Sequence, residues 1–235
     1  MSTRWLIVTA DDFGRSDGVN RGVASAYEYG IVTSASLMVR WPAAERAAAL
    51  ARELPRLSVG LHFDLGEWTY RDGTWVQAYA VVDENDPKQI AAEGRRQLAL
   101  FRDLLDREPT HLDSHQHVHR EEPVYSCLVL LANELGVPLR HFTPQVEYRG
   151  DFHGQTAQGE PLDATPTVEG LASVLRSLSR GTSELGCHPA EDVDFETAYG
   201  SERLVELDVL RSSEIRDVLA AEEISLLSFG ELRAD

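Results

Sequence analysis

Two adjacent carboxylates, Asp11 and Asp12, follow an apolar run near the start of the chain, from Leu6 to Thr9. This run is rich in β-branched residues and predicts a buried strand. Like charges at a strand end repel, and burying both without partners costs free energy. We therefore expect a cation beside the pair.

Three later strand-like runs each end in a histidine, namely His62, His115 and His188. Carboxylate oxygens and neutral imidazole nitrogens are typical ligands of catalytic divalent metals. An Asp pair alone could cap a helix, and a single histidine is more often structural than a ligand. Four such features at strand ends together favour a metal-dependent active site.

The segment from His111 to His119 is rich in histidine, and its spacing leaves the choice of ligand open. In an extended chain His115, His117 and His119 share a face. One metal needs only one or two of them, and the others can support the ligands or lie on a solvated loop. Asp113 could hold an imidazole in one tautomer.

One carboxylate and two histidines leave metal positions open for water and substrate. Such a metal lowers the pKa of water and polarises a carbonyl, and a second carboxylate is a natural general base. His188 could protonate a leaving amine. These are the parts of a metal-assisted amide or ester hydrolase. The sequence has no G-x-S-x-G, P-loop or G-x-G-x-x-G motif to favour a serine hydrolase or a nucleotide-binding protein.

Strand-like and helix-like runs alternate along the chain. The predicted strands are 6–9, 31–39, 57–63, 109–113, 137–142, 184–188 and 224–229, and the predicted helices are 16–30, 42–54, 87–105, 121–135, 168–178 and 204–218. This alternation predicts a parallel sheet with helices outside it, either a (β/α) barrel or an open wound sheet. Both architectures place functional residues at the carboxyl ends of strands, where the Asp pair and the three histidines fall.

Two stretches interrupt the alternation. Aromatic runs flank Asp72-Gly73, which predicts a hairpin. Its tryptophans, Trp68 and Trp75, could stack on a sugar or form a small satellite core. The segment from Thr143 to Pro166 has no periodicity and predicts a long functional loop.

Composition disfavours several classes of partner, although the acidic charge can also serve solubility alone. The 235 residues predict one domain over 1–235, and 39 acidic residues against 22 basic ones give a formal charge of -17. That charge disfavours nucleic acids and anionic membranes. Cys127 and Cys187 indicate buried thiols and no disulfide framework. The sequence has no apolar run of membrane-spanning length and no signal peptide, so we expect a cytoplasmic protein. A homodimer is possible.

Four motifs resemble those of the YdjC-like carbohydrate deacetylase family. They are Thr9–Gly14, Gly60–Phe63, His111–His119 and Gly186–Pro189. The resemblance extends nearly end to end and includes Arg203–Leu207. It implies a distorted (β/α) barrel, a divalent metal ion (Mg²⁺ or Zn²⁺) and hydrolysis of N-acetyl groups on sugars. The seven predicted strands make a seven-stranded barrel the expectation.

The resemblance also implies roles for individual residues. His62 and His115 correspond to metal ligands. By similarity to the related polysaccharide deacetylases, Asp12 corresponds to the third ligand and Asp11 to the catalytic base. His188 is the expected general acid. The expected substrate is an N-acetylated sugar, oligosaccharide or glycoconjugate.

Two residues depart from the family pattern. Gln116 stands where members often have a further histidine, and His153 stands where a tyrosine is expected. Arg140 follows a predicted strand, so it could pair with Asp11, lie on the surface or contact substrate. We assign Arg140 and His153 to substrate binding. The segment from His62 to Pro109 is shorter than in the family's chitooligosaccharide deacetylases, which leaves the substrate open.

Two other functions compete with deacetylation. Another metal-dependent hydrolase, of esters or phosphates, could use the same ligands. A non-catalytic sugar-binding protein could retain a vestigial metal site, although binding alone has no need for a second carboxylate beside the ligand.

Overall fold

The computed structural model describes residues 3–162 and 164–232. Its strands are β1 (Arg4–Phe13), β2 (Ser34–Leu37), β3 (Ser58–Phe63), β4 (Gly66–Arg71), β5 (Thr74–Ala80), β6 (Leu112–Ser114), β7 (Val146–Arg149), β8 (Gly181–Cys187) and β9 (Ile224–Leu226). Its helices are α1 (Asp17–Glu28), α2 (Ala44–Glu53), α3 (Pro87–Leu105), α4 (Val124–Leu135), α5 (Val168–Arg176), α6 (Ser201–Arg211) and α7 (Ser213–Ala221).

Seven of the strands form one parallel sheet in the order β6-β3-β2-β1-β8-β7, with β9 beside the start of β1. The central strand β1 pairs with β8 from Arg4 to Ala10 and with β2 from Thr9 onward. Among the described residues, β6 and β7 form no ladder with each other, so the barrel is incomplete. The prediction of a distorted, seven-stranded (β/α) barrel is confirmed.

Alternation along β1 separates an apolar layer from a polar interior. Leu6, Val8 and Ala10 belong to the hydrophobic core that the strands share with the helices. Asp11, with the opposite parity, instead meets the guanidinium of Arg140. Because successive side chains of a strand point to opposite faces, this polar side of the sheet lies inside the barrel. At the carboxyl end of β1, the barrel interior therefore contains a network of charges.

The predicted fifth strand, Val137 to Phe142, is wrong. The segment makes a single bridge, between Leu112 and Leu139, and His141 has a left-handed φ of 67°. Pro138 has no N–H with which to extend a ladder. The strand is instead β7, within the predicted loop from Thr143 to Pro166. β7 is too short to show a clear sequence period.

Most of the other predicted elements are confirmed. The hairpin forms from β4 and β5, with Asp72 and Gly73 at its tip in left-handed conformations. The single helical pattern from Leu204 to Val218 is two helices, since the Ser212 hydroxyl accepts the N–H of Glu214 and starts α7. No helix among the described residues combines the length and apolarity needed to span a bilayer.

The two cysteines are both free thiols. Cys187 is buried, as expected, whereas Cys127 is only half-buried. The sequence prediction that no disulfide framework exists therefore agrees with the structure, and the prediction of burial holds for one of the two.

Candidate active site

Both carboxylates of the Asp pair reach the same site because the end of β1 is irregular. The pairing of β1 with β2 shifts register between Ala10 and Phe13, and Asp12 has a left-handed φ of 63°. In a regular strand, neighbouring side chains would point to opposite faces. The distortion turns Asp12 so that it lines the same cavity as Asp11.

Asp12, His62 and His115 form a group with the composition of a metal site. Their donor atoms lie within 4.8 Å of one another. Asp12 Oδ1 is 3.5 Å from His62 Nε2 and 3.1 Å from His115 Nδ1. This oxygen is buried and accepts no hydrogen bond from the residues described. A buried carboxylate oxygen without a partner is costly, and a cation would satisfy it.

A chain of hydrogen bonds fixes the orientation of His62. Its Nδ1 lies 2.8 Å from Asp113 Oδ1, and the Ser36 hydroxyl donates to Asp113 Oδ2 at 2.6 Å. That hydroxyl has one proton, so His111 Nε2, 3.0 Å away, donates to Ser36 Oγ. With Nδ1 occupied by Asp113, His62 presents Nε2 to Asp12.

Arg140 lies beneath Asp11 and does not line the cavity. Its Nη1 and Nη2 donate to the two oxygens of Asp11 at 2.7 and 2.8 Å. It also contacts Asp113 and Glu184 at 2.8 Å each, and only 2% of the residue is exposed. The assignment of Arg140 to substrate binding does not fit this position. Arg140 instead anchors Asp11.

Arg203 is a site residue to which sequence reasoning gave no role. It stands in the first turn of α6 and donates to Asp12 Oδ2, while its Nε donates to the Tyr199 carbonyl at 3.0 Å. Burial would raise the pKa of Asp12, but Arg203 and His115 outweigh it and hold that pKa well below the ordinary value. The motif Arg203–Leu207 was the available signal.

Carboxyl groups outnumber guanidinium groups in this buried cluster. They are Asp11, Asp12, Asp113 and Glu184, against Arg140 and Arg203. Burial raises the pKa of Glu184, yet negative charge remains in excess even with Glu184 protonated. Burial would lower the pKa of His62, but Asp113 and Asp12 raise it to about 10. The protonated His62 balances that excess, so a divalent cation bound here would displace the imidazole proton and take over its positive charge.

His188 lies on the other side of Asp11, after β8. Its Nε2 is 4.0 Å from Asp11 Oδ2, and its Nδ1 is 3.9 Å from Glu206 Oε1. Glu206 is fully buried and accepts the His188 backbone N–H and the Tyr199 hydroxyl. Sequence reasoning missed Glu206 as well, although it lies in the same motif as Arg203. A buried carboxylate thus stands behind the imidazole.

His153 lines the cavity beside His188, with their ring centroids 5.3 Å apart. It stacks on Tyr199 with a centroid distance of 4.1 Å. Burial, with His188 nearby, lowers the pKa of His153 to about 4, so its ring is neutral at neutral pH. The structure therefore places His153 where a bound substrate could reach it.

The three histidines at 115, 117 and 119 do not share a face. Gln116 and His117 have left-handed φ values of 52° and 53°, so the segment turns instead of extending. His119 is buried and bonds to Ser114 Oγ and the Arg140 carbonyl. His117 lines the cavity beside Tyr148. Of the three, His115 alone joins the group around Asp12.

The site opens into a cavity of about 650 Å³, within the range of small-molecule sites. Its wall includes the hairpin residues Trp68 and Trp75, which lie outside the hydrophobic core. Of the two alternatives for these tryptophans, a satellite core does not fit, and a surface available to a ligand does.

Known proteins resemble this chain over most of its length. The family described as YdjC-like protein matches residues 5–221. A chitooligosaccharide deacetylase of Serratia marcescens is 34% identical, covering 97% of this chain and 98% of its own. A crystal structure of a proposed cellobiose-phosphate cleavage protein from Enterococcus faecalis V583 has a TM-score of 0.80 at 23% identity. The match covers 97% of this chain and 98% of that one. A family 4 acetyl xylan esterase from Clostridium thermocellum, in complex with a cobalt ion, has a TM-score of 0.52 at 16% identity. That match covers 97% of this chain and 89% of the esterase chain.

Proposed function

The chain belongs to the YdjC-like family, and we propose that it is a metal-dependent deacetylase that removes an N-acetyl group from a saccharide or glycoconjugate. The observation that carries the proposal is the grouping of Asp12, His62 and His115 beside a separate carboxylate, Asp11, and an imidazole, His188. The name of the Serratia marcescens relative, a chitooligosaccharide deacetylase, supports the same substrate class.

The residues around Asp12 fit a divalent cation such as Mg²⁺ or Zn²⁺. Asp12 Oδ1 accepts no hydrogen bond from the part of the chain that the structure describes, and His62 Nε2 is left available because Asp113 takes Nδ1. Asp12, His62 and His115 would hold the ion. A cation held there supplies Lewis-acid activation of the attacking water and of the acetyl carbonyl. The cobalt ion in the Clostridium thermocellum esterase is compatible with this proposal.

Asp11 serves as the general base in this mechanism. Its two oxygens each accept one bond from Arg140, which fixes the plane of the carboxylate. Each carboxylate oxygen retains a second lone pair, so the cavity-facing side can take a proton from the attacking water. Arg140 thus orients the base without occupying it.

His188 serves as the general acid. The amide nitrogen of an N-acetyl group needs a proton before it can leave, because an amide anion is a very poor leaving group. His188 donates that proton from the cavity as the C–N bond breaks, which releases the amine and acetate. Because the site draws on four strands and α6, we propose that the chain works as one catalytic domain.

The test measures which bond the protein hydrolyses. The metal-stripped protein would be reloaded with Mg²⁺ or Zn²⁺ and incubated with N-acetylated chitooligosaccharides, cellobiose phosphate and an aryl acetate. We expect metal-dependent release of acetate from the saccharide. Phosphate release exceeding acetate release would favour a phosphate hydrolase. Saturable sugar binding without turnover of any substrate would favour a binding protein.

A further inference from the structure

Three aromatic side chains of the hairpin β4–β5 share one face. Tyr70 stands directly opposite Trp75, and their rings meet edge to face with centroids 5.4 Å apart. Trp68, two residues before Tyr70, points to the same side because alternate residues of a strand do. All three line the cavity. Trp68 is 38% exposed and Trp75 is 47% exposed, so within residues 3–162 and 164–232 no side chain covers this aromatic face.

The base of the hairpin is attached directly to the group around Asp12. Glu67 accepts from Arg15 at 2.6 Å and lies 3.5 Å from His115 Nε2. The Gln116 side chain accepts the Trp68 N–H at 2.8 Å and donates to the Trp68 carbonyl at 2.7 Å. The first residues of the hairpin therefore lie beside His115, the proposed metal ligand, and the two bonds to Gln116 fix the backbone position of Trp68.

The tip of the hairpin reaches the opposite wall of the cavity. Arg71 pairs at 2.8 Å with Glu196, which lies between β8 and α6. Tyr70 is three strand residues beyond Glu67, a backbone separation of up to about 10 Å along the hairpin. That distance exceeds the span of one pyranose ring. A ligand that extends from the group around Asp12 to the Tyr70–Trp75 pair is therefore longer than one ring.

We propose that the aromatic face formed by Trp68, Tyr70 and Trp75 is a subsite for a second sugar ring, joined to the N-acetylated ring at the metal group. Pyranose rings present faces of C–H groups that pack on aromatic rings, and burial of half-exposed tryptophans removes apolar surface from water. This inference rests on the proposed deacetylase function. It makes a saccharide of two or more rings the preferred substrate.

Gln116 is the positioning residue of this subsite. A carboxamide presents a donor and an acceptor side by side, so it bonds both backbone groups of Trp68 as a neighbouring strand would. A neutral imidazole has its donor and its acceptor on different sides of the ring, and it cannot replace this pair of bonds. Gln116, one of the departures from the family pattern, thus fixes the hairpin over the cavity.

The test compares substrates of increasing length on the metal-loaded protein: N-acetylglucosamine, N,N′-diacetylchitobiose and N,N′,N″-triacetylchitotriose. We expect kcat/KM to rise from the one-ring to the two-ring substrate. Trp75→Ala should reduce this gain about 5- to 10-fold, mainly through KM. Val76→Ala is the matched control, because Val76 is adjacent, 44% exposed and absent from the cavity wall. It should leave the gain unchanged.

Gln116→Ala should reduce the gain in the same way as Trp75→Ala, with metal content and kcat retained. Gln116→Glu keeps the acceptor but turns a carboxylate oxygen toward the Trp68 carbonyl oxygen, so it should reduce the gain at least as much as Gln116→Ala. If Gln116→Ala instead lowers metal content and kcat together, Gln116 supports His115 and not the hairpin, and the positioning role is overturned.

Binding to the Asp11→Asn variant, measured by calorimetry, separates this inference from the proposed function. If no saccharide is deacetylated but chitotriose binding still weakens on adding Trp75→Ala, the subsite stands and the deacetylase function fails. If deacetylation occurs and Trp75→Ala leaves the dependence on chain length unchanged, the function stands and the subsite is overturned.

Discussion

The two ends of the cavity are built by different means. Its floor, formed by Asp11, Asp12 and His62, is at most 2% exposed, and other side chains contact each of these groups. Its rim, represented by Trp68 and Trp75, is 38% and 47% exposed. The floor has the fixed geometry that bond cleavage requires, and the rim has the free surface that substrate recognition requires.

The difference in construction has a physical origin. The floor lies at the ends of strands in a seven-stranded sheet. Backbone hydrogen bonds of the sheet and buried ion pairs both hold its residues in place. The rim is a two-stranded hairpin, an element that is marginally stable alone. Its tip is attached through Arg71 and Glu196, an exposed ion pair worth less than about 1 kcal/mol. We therefore expect changes in the floor to remove activity and changes in the rim to alter substrate choice.

The largest effect should follow loss of a ligand in the floor. His62→Ala or His115→Ala should remove stoichiometric metal, measured by mass spectrometry of the desalted protein. Because activation of water and carbonyl by a metal contributes several kcal/mol, kcat/KM should fall by roughly 10³-fold or more. His117→Ala is the matched control and should retain most of the metal. A metal-free His117→Ala variant beside a metal-loaded His115→Ala variant would reverse the assignment.

The next effect separates the two neighbouring carboxylates. Asp11→Asn should keep the metal and lose turnover by about 10²–10⁴-fold, since the amide cannot accept the proton. Asp12→Asn should lose the metal, because Asp12 Oδ1 faces both histidines. Metal content and turnover are both measured on the same preparations, by metal analysis and by acetate release. Loss of metal in Asp11→Asn with retention in Asp12→Asn would show that the two roles are exchanged.

His188 should matter only where the leaving group needs a proton. His188→Ala should slow deacetylation of a sugar amide by roughly 10²-fold or more. An activated aryl acetate expels a phenolate that leaves without protonation, so its hydrolysis should fall much less. Equal losses on both substrates, with a lower melting temperature, would mean that His188 only shapes the end of β8.

The sequence was informative about the floor because strand ends have a local signature. Apolar runs that stop at Asp11, His62 and His188 predicted both the strands and their shared edge, without knowledge of any contact. The choice of His115 over His117 depended on a left-handed turn at Gln116, which spacing does not show. Spacing alone therefore left the choice open, because the three histidines share a face only if the segment is extended.

The residues that sequence reasoning missed act from distant parts of the chain. Arg203 contacts Asp12 across 191 positions of sequence, and Glu206 lies behind His188 from the same helix. Apart from the Arg203–Leu207 motif, neither has a local pattern beyond that of an amphipathic helix. Pairing of Arg140 with Asp11 was one of three alternatives for this residue. The sequence could not choose among them, because the predicted strand before Arg140 is in fact a turn around a single bridge at Leu139.

The smallest expected effect concerns His111, which supports the floor through Ser36 and takes no part in the reaction. Burial lowers the pKa of His111 to about 4, from an ordinary value of 6.5. Between these values the unfolded chain binds a proton that the folded chain does not, so the free energy of unfolding falls as the pH falls. From pH 7 to pH 5 this contribution is roughly 2 kcal/mol. Urea unfolding at both pH values should show the wild type losing about that much more stability than His111→Gln, which does not titrate. Equal losses in the two proteins would mean that His111 accepts a proton in the folded state, and that the hydrogen-bond chain to His62 does not depend on its neutral tautomer.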